Sequence, residues 1–87
     1  MQIPTIHING TSRERLLEGL VAANDALLKA QQAVAETAPN ARDYYPQGPD
    51  AIRAAEREHY SRLTRIINVR QELEEIAEAI CDAEVRR

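Results

Sequence analysis

With 87 residues, 44% of them hydrophobic, the chain suffices for one small domain, near the size at which a single core is marginal. Its net charge of −3 argues against nucleic acid as a partner, since such binders present basic surfaces. No apolar run approaches the roughly 20 residues of a membrane span. The only aromatics are three tyrosines, so the core is expected from Leu, Ile, Val and Ala, and the fold class is all-α.

Residues 1–10 read as an extended arm. Ile6 and Ile8 alternate with His7, a period-two pattern of β-branched residues, and Asn9-Gly10 ends it. Such an arm has to pair with another strand or lie over the helices to satisfy its backbone. Ile6 and Ile8 are candidate partner contacts.

A first helix is predicted over 11–38, capped by Thr11 or Ser12, with Thr11 and Glu14 fitting a capping box, and stopped before Pro39. Its apolar stripe is Leu16, Leu20, Ala23, Leu27, Ala30 and Val34. A second row, Leu17, Val21, Leu28 and Ala35, widens the face beyond a two-helix seam. The connector, 39–48, holds Pro39, Pro46 and Gly48 and runs into Pro49, so no helix is expected in it. Tyr44 and Tyr45 within it have two readings: a ring that plugs the bundle end, or an aromatic contact for a partner.

A second helix is predicted over 49–85, with Gly48 as N-cap, Pro49 at the first helical position and Asp50 in the first turn. Ile52, His59, Ile66, Leu73 and Ile80 recur every seven residues, flanked by Leu63, Ile67 and Ile76. At 1.5 Å per residue this helix spans roughly 50 Å against roughly 40 Å for the first. It therefore overhangs its neighbour, and residues 11–85 form one domain.

The expected architecture is a two-helix antiparallel hairpin with a short extended N-terminal arm, dimerising into a four-helix bundle. A lone hairpin would leave the flanking rows wet, at about 25 cal/mol per Å² of apolar area. The core and dimer interface would use Leu16, Leu20, Leu27, Val34, Ile52, Leu63, Ile66, Ile67, Leu73, Ile76 and Ile80. Charge suggests the orientation. Arg53, Arg57, Arg62, Arg65 and Arg70 occupy the first half of the second helix, and Glu72, Glu74, Glu75, Glu78, Asp82 and Glu84 the second. An antiparallel contact near Ile66 and Ile67 sets basic half against acidic half. Arg13 and Arg15 can approach the same acidic end within one chain.

Chemistry-bearing patterns are sparse. One cysteine, Cys81, excludes an internal disulfide and suits a reducing cytoplasm. No basic segment leads into an apolar core at the N-terminus, so no signal peptide is expected. There is no phosphate loop, nucleophile elbow or Ser-His-Asp set. The chain is read as a non-enzymatic, cofactor-free interaction module whose partners are itself and another protein, with no membrane contact. Arg53, Arg57, Arg62 and Arg65 could touch phosphates, which keeps a small nucleic-acid-associated regulator as an alternative. On overall charge they read first as a solvated, ion-paired face.

Glu56-Arg57-Glu58-His59 places a carboxylate and an imidazole on one helical face, the pairing used in di-iron bundles. In length, layout and this motif the chain resembles small two-helix encapsulated ferritins. That resemblance implies, as an alternative, a di-metal site of Glu56 and His59 completed across a subunit interface by a carboxylate of the first helix, Asp25 or Glu18. Otherwise His59 is a core-edge residue of the Ile52–Ile66 series.

The run Ile6-His7-Ile8-Asn9-Gly10-Thr11-Ser12, the connector from Ala38 to Pro49 and Arg57-Glu58-His59 resemble a group of small uncharacterised helical proteins of tailed phages and prophages. The resemblance covers almost the whole chain. It implies a bacterial cytoplasmic setting and a phage accessory or assembly role, and it carries no catalytic residues.

Overall fold

In a computed structural model, which describes residues 1–83, the chain is helical: α1 (Arg13–Ala35), α2 (Ala41–Tyr44), a 3-10 turn (Tyr45–Gln47) and α3 (Ala51–Asp82). No strand occurs among the described residues. The expected end of the second helix, with Glu84 and residue 85, lies outside them.

Each boundary has a local cause. Of the two candidate caps, Ser12 opens α1: its backbone is extended and its hydroxyl accepts the Arg15 N–H at 3.2 Å. The helix stops at Ala35, short of the expected 38. There Thr37 turns back on Val34, donating both its N–H (2.9 Å) and its hydroxyl (2.7 Å) to the Val34 carbonyl. A β-branched hydroxyl residue offers this local alternative to the helical ladder.

The connector is not helix-free, contrary to the reading of its prolines. The Asn40 side chain accepts the Arg42 N–H at 2.9 Å and starts α2. Pro39 lies ahead of that cap, and Pro46 falls in the first turn of the 3-10 segment. There a missing N–H costs no hydrogen bond. The prolines therefore bracket a helical turn instead of abolishing one. Gly48 is not the N-cap of the long helix. It closes the 3-10 turn at φ 109° and ψ 166°, a region essentially reserved for glycine. Asp50 occupies the cap position of α3 without a side-chain bond, so Pro49 sits outside the helix.

The arm has no regular strand. His7 forms a single-residue β-bridge, and Gly10 N–H closes a turn onto the His7 carbonyl at 3.1 Å.

α1 packs on α3 with the residue numbers running in opposite directions. Arg13 Nη2 donates to the Ala83 carbonyl, Asn24 bonds Glu74 at 3.3 Å, and Arg70 bonds Gln31 at 2.8 Å. The result is a rod of 65 × 20 × 16 Å with a radius of gyration of 19.2 Å. A compact chain of this length would have a radius of about 12 Å. Burial is correspondingly thin: among the described residues the buried hydrophobics are Ile6, Ala55 and Ile80.

Candidate functional site

The seam between α1 and α3 follows alternating steps of three and four, which keep one face toward the neighbouring helix. On α1 it is Leu17, Leu20, Asn24, Leu27, Gln31 and Val34, all half-buried; on α3 it includes Leu63, Ile66, Arg70, Leu73, Ala77 and Ile80. Two positions of the expected stripe do not belong to it. Ala23 and Ala30 are exposed, and their neighbours Asn24 and Gln31 face the seam instead. Helical angle rather than apolarity decides which side chains face inward, and the polar neighbours occupy those positions.

Those polar neighbours form a bonded rung that apolar pattern-reading missed. Arg70 Nε donates to Asn24 Oδ1 at 2.9 Å and Arg70 Nη1 to Gln31 Oε1 at 2.8 Å. Asn24 Nδ2 in turn donates to Glu74 Oε1 at 3.3 Å. A polar residue at a seam position fixes register at some cost in stability. Sliding α1 by one heptad would set Arg70 beside Leu17 or Ala38 and remove one of its two acceptors. The detectable signal was Asn24 and Gln31, seven apart, interrupting a Leu series.

The other interface candidates sit as follows. Leu16, Ile52 and Ile76 are half-buried, Ile80 is fully buried, and Ile67 is 36% exposed. Of the partner-contact candidates, Ile6 is only 4% exposed, so the protein's own fold covers it, whereas Ile8 is 76% exposed. Tyr44 is half-buried in α2 beside α3, and Tyr45 is 79% exposed. The chain's own fold thus covers part of one connector ring and leaves the other open. Tyr60, 73% exposed, was not singled out from sequence.

Within one chain the carboxylate–histidine set does not converge. Asp25 adjoins Asn24, which meets Glu74. His59 lies fifteen residues up α3 from Glu74, about 22 Å along the axis. Asp25 instead lines a shallow groove on α1 with Glu14, Leu17, Glu18 and Val21. Glu56 is exposed and His59 half-buried. Among the described residues no three His, Cys, Asp or Glu gather in a metal-holding group. Cys81 is free and exposed. No helix among the described residues is long and apolar enough to cross a membrane.

Among the described residues the ion pair is Arg62 with Glu58, at 3.9 Å on the surface of α3. An exposed pair of this kind contributes little. Apart from Arg70 in the seam and the half-buried His59, the other charged side chains of α3 are exposed, with arginines concentrated toward its start and acids toward its end.

No family model matches this chain. No curated protein and no solved structure matches it either.

Proposed function

We propose that this chain is a non-enzymatic protein-interaction or assembly module. It is an antiparallel helical hairpin that pairs with a second copy into a four-helix bundle and serves as a phage or prophage accessory protein in the bacterial cytoplasm. The observation that carries the reading is surface left uncovered. The chain exposes 6835 Å². A compact protein of 9.8 kDa exposes about 5,200 Å² by size scaling. The difference, roughly 1,600 Å², exceeds the roughly 800 Å² that each partner contributes to a standard interface.

The exposed surface is also of the kind that interfaces use. Val21, Tyr60, Ile67 and Val69 lie along the helices at 36–73% exposure, near half-buried Leu and Ile. The arm and connector add Ile8 and Tyr45 as contacts for a further protein. The phage setting rests on the resemblance carried by the arm, the connector and Arg57-Glu58-His59. Sedimentation equilibrium of the full chain tests the core of the reading: a dimer at micromolar concentration is expected, and a folded monomer there overturns it.

A further inference from the structure

α3 carries a second row of residues, also spaced by fours and threes, about a third of a turn from the seam. It opens with Arg53, Glu56 and Arg57, passes Tyr60 and Ile67, and closes with Glu74, Glu78 and Asp82. The charged members are all exposed. Tyr60 is 73% and Ile67 36% exposed. The order along the helix is therefore net basic, apolar, acidic.

Among the described residues no salt bridge joins this row, and Glu56 offsets only one of its two arginines. The Arg62–Glu58 pair lies on another side of the helix, and the contact to Glu74 is the neutral Asn24 amide. Like charges four apart repel along a helix, as Arg53 and Arg57, Glu74 and Glu78, and Glu78 and Asp82 do here. Acids at a helix C-terminus also oppose the macrodipole. The row is electrostatically unfavourable in an isolated chain and complementary to itself when reversed.

We propose that a second copy of this chain docks antiparallel along this row, with the two-fold axis between Ile67 and Asn68. The proposal rests on the self-association reading above and specifies its face and register. Arg57 of one copy then faces Glu78 of the other, and Arg53 faces Asp82. In each pair the two positions are equally far from the axis, so every contact occurs twice. The Ile67 side chains meet at the centre, flanked by Tyr60. Val21, 55% exposed, shares a groove with Leu20, Glu74 and Ala77, so it lies on the covered side as well. A parallel second copy would set arginine on arginine and acid on acid, and mutual repulsion excludes it. The axis falls near the middle of α3, so nearly the whole helix overlaps its counterpart.

A charge swap tests the register. R53E/R57E places acid against acid at both ends of the homodimer, and E78R/D82R places base against base. Each variant alone is expected to sediment as a monomer where the wild type is a dimer, with association weakened ~10-fold or more. Their equimolar mixture restores the dimer, because each end then pairs opposite charges. If the wild type dimerises and both variants dimerise equally well alone, the register is overturned while self-association stands. If the wild type is a folded monomer at micromolar concentration, both readings fall. Should a charge variant lose helical circular dichroism, I67C in a C81S background reads the same contact without altering charge. It is expected to cross-link under mild oxidation, with R65C in the same background, on the far side of α3, as the non-linking control. A dimer in which I67C links no faster than R65C overturns the proposal.

Discussion

The two halves of α3 have different surroundings. From about Ile66 to Asp82 the helix has α1 alongside, joined by the Asn24–Arg70–Gln31 rung and by Arg13 on the Ala83 carbonyl. From Ala51 to about Tyr60 it runs past the end of α1, and the cover comes from α2 and the 3-10 turn. The apolar spacing is the same in both halves, yet burial is not. Ile80 is wholly buried in the first, while the buried residue of the second is Ala55, at 8% exposure. Periodicity specifies which face turns inward. How much that face buries depends on what the rest of the chain has left to place over it.

The largest test of this contrast is Ile80→Ala. A fully enclosed Ile loses its transfer free energy and leaves a cavity, so about 2–5 kcal/mol of stability should go. The same truncation in the overhang, Ile52→Ala, removes a half-buried side chain and should cost about 1 kcal/mol. Urea unfolding of both variants measures the difference. Equal losses would mean that the overhang is packed as firmly as the covered half.

The next effect acts through backbone rather than packing. Gly48 adopts φ 109°, and a Cβ built on it meets nothing within 4 Å. Gly48→Ala therefore isolates conformational cost, about 1–3 kcal/mol. Because Gly48 joins the 3-10 turn to α3, the cost should fall on the cover of the overhang. Amides of residues 51–60 should exchange faster than in the wild type, and those of residues 70–80 should not.

Arg70→Leu tests the covered half. The substitution leaves Asn24 and Gln31 on the seam without their donor, at about 1–2 kcal/mol. Replacing all three by Leu should return or exceed the lost stability, as apolar replacements of buried polar groups often do. Without the rung, α1 can then slide by a heptad, and doubled amide resonances would report it. A single set of resonances in the triple variant would show that the rung does not set the register.

These contrasts also mark how far the sequence could be read. The helical class, the approximate helix positions and most inward Leu and Ile positions follow from spacing, because a 3.6-residue period leaves few alternatives over helices this long. Asn24 and Gln31 lie outside any apolar stripe although their spacing is regular, and Arg70, counted by charge with the basic half of α3, bonds both of them in the seam. The row from Arg53 to Asp82 was visible as a charge split, but the separation of its members from the seam needed helical angles. Pro39 and Pro46 were read as breakers without regard to place. A proline before a cap or in a first turn breaks nothing. Gly48 was read as a cap for the following helix because φ is not written in the sequence.

The smallest predicted effect is the most local. Asn40 alone supplies the side-chain cap of α2, accepting from the Arg42 N–H and, at 3.3 Å, from the Arg42 Nε. Asn40→Ala should cost about 1 kcal/mol, or roughly a fivefold gain in opening at 25 °C, and Asn40→Asp should retain the cap. Where the loss appears decides how the two halves are coupled. If the connector opens on its own, amide exchange quickens over residues 41–44 while the global unfolding midpoint stays fixed. If the midpoint falls by the full amount, the connector, the overhang and the α1-covered half melt as one unit. Such coupling would be notable, because the overhang meets the rest of the chain through little more than α3 itself, so cooperativity would have to travel along the helix rather than across a core.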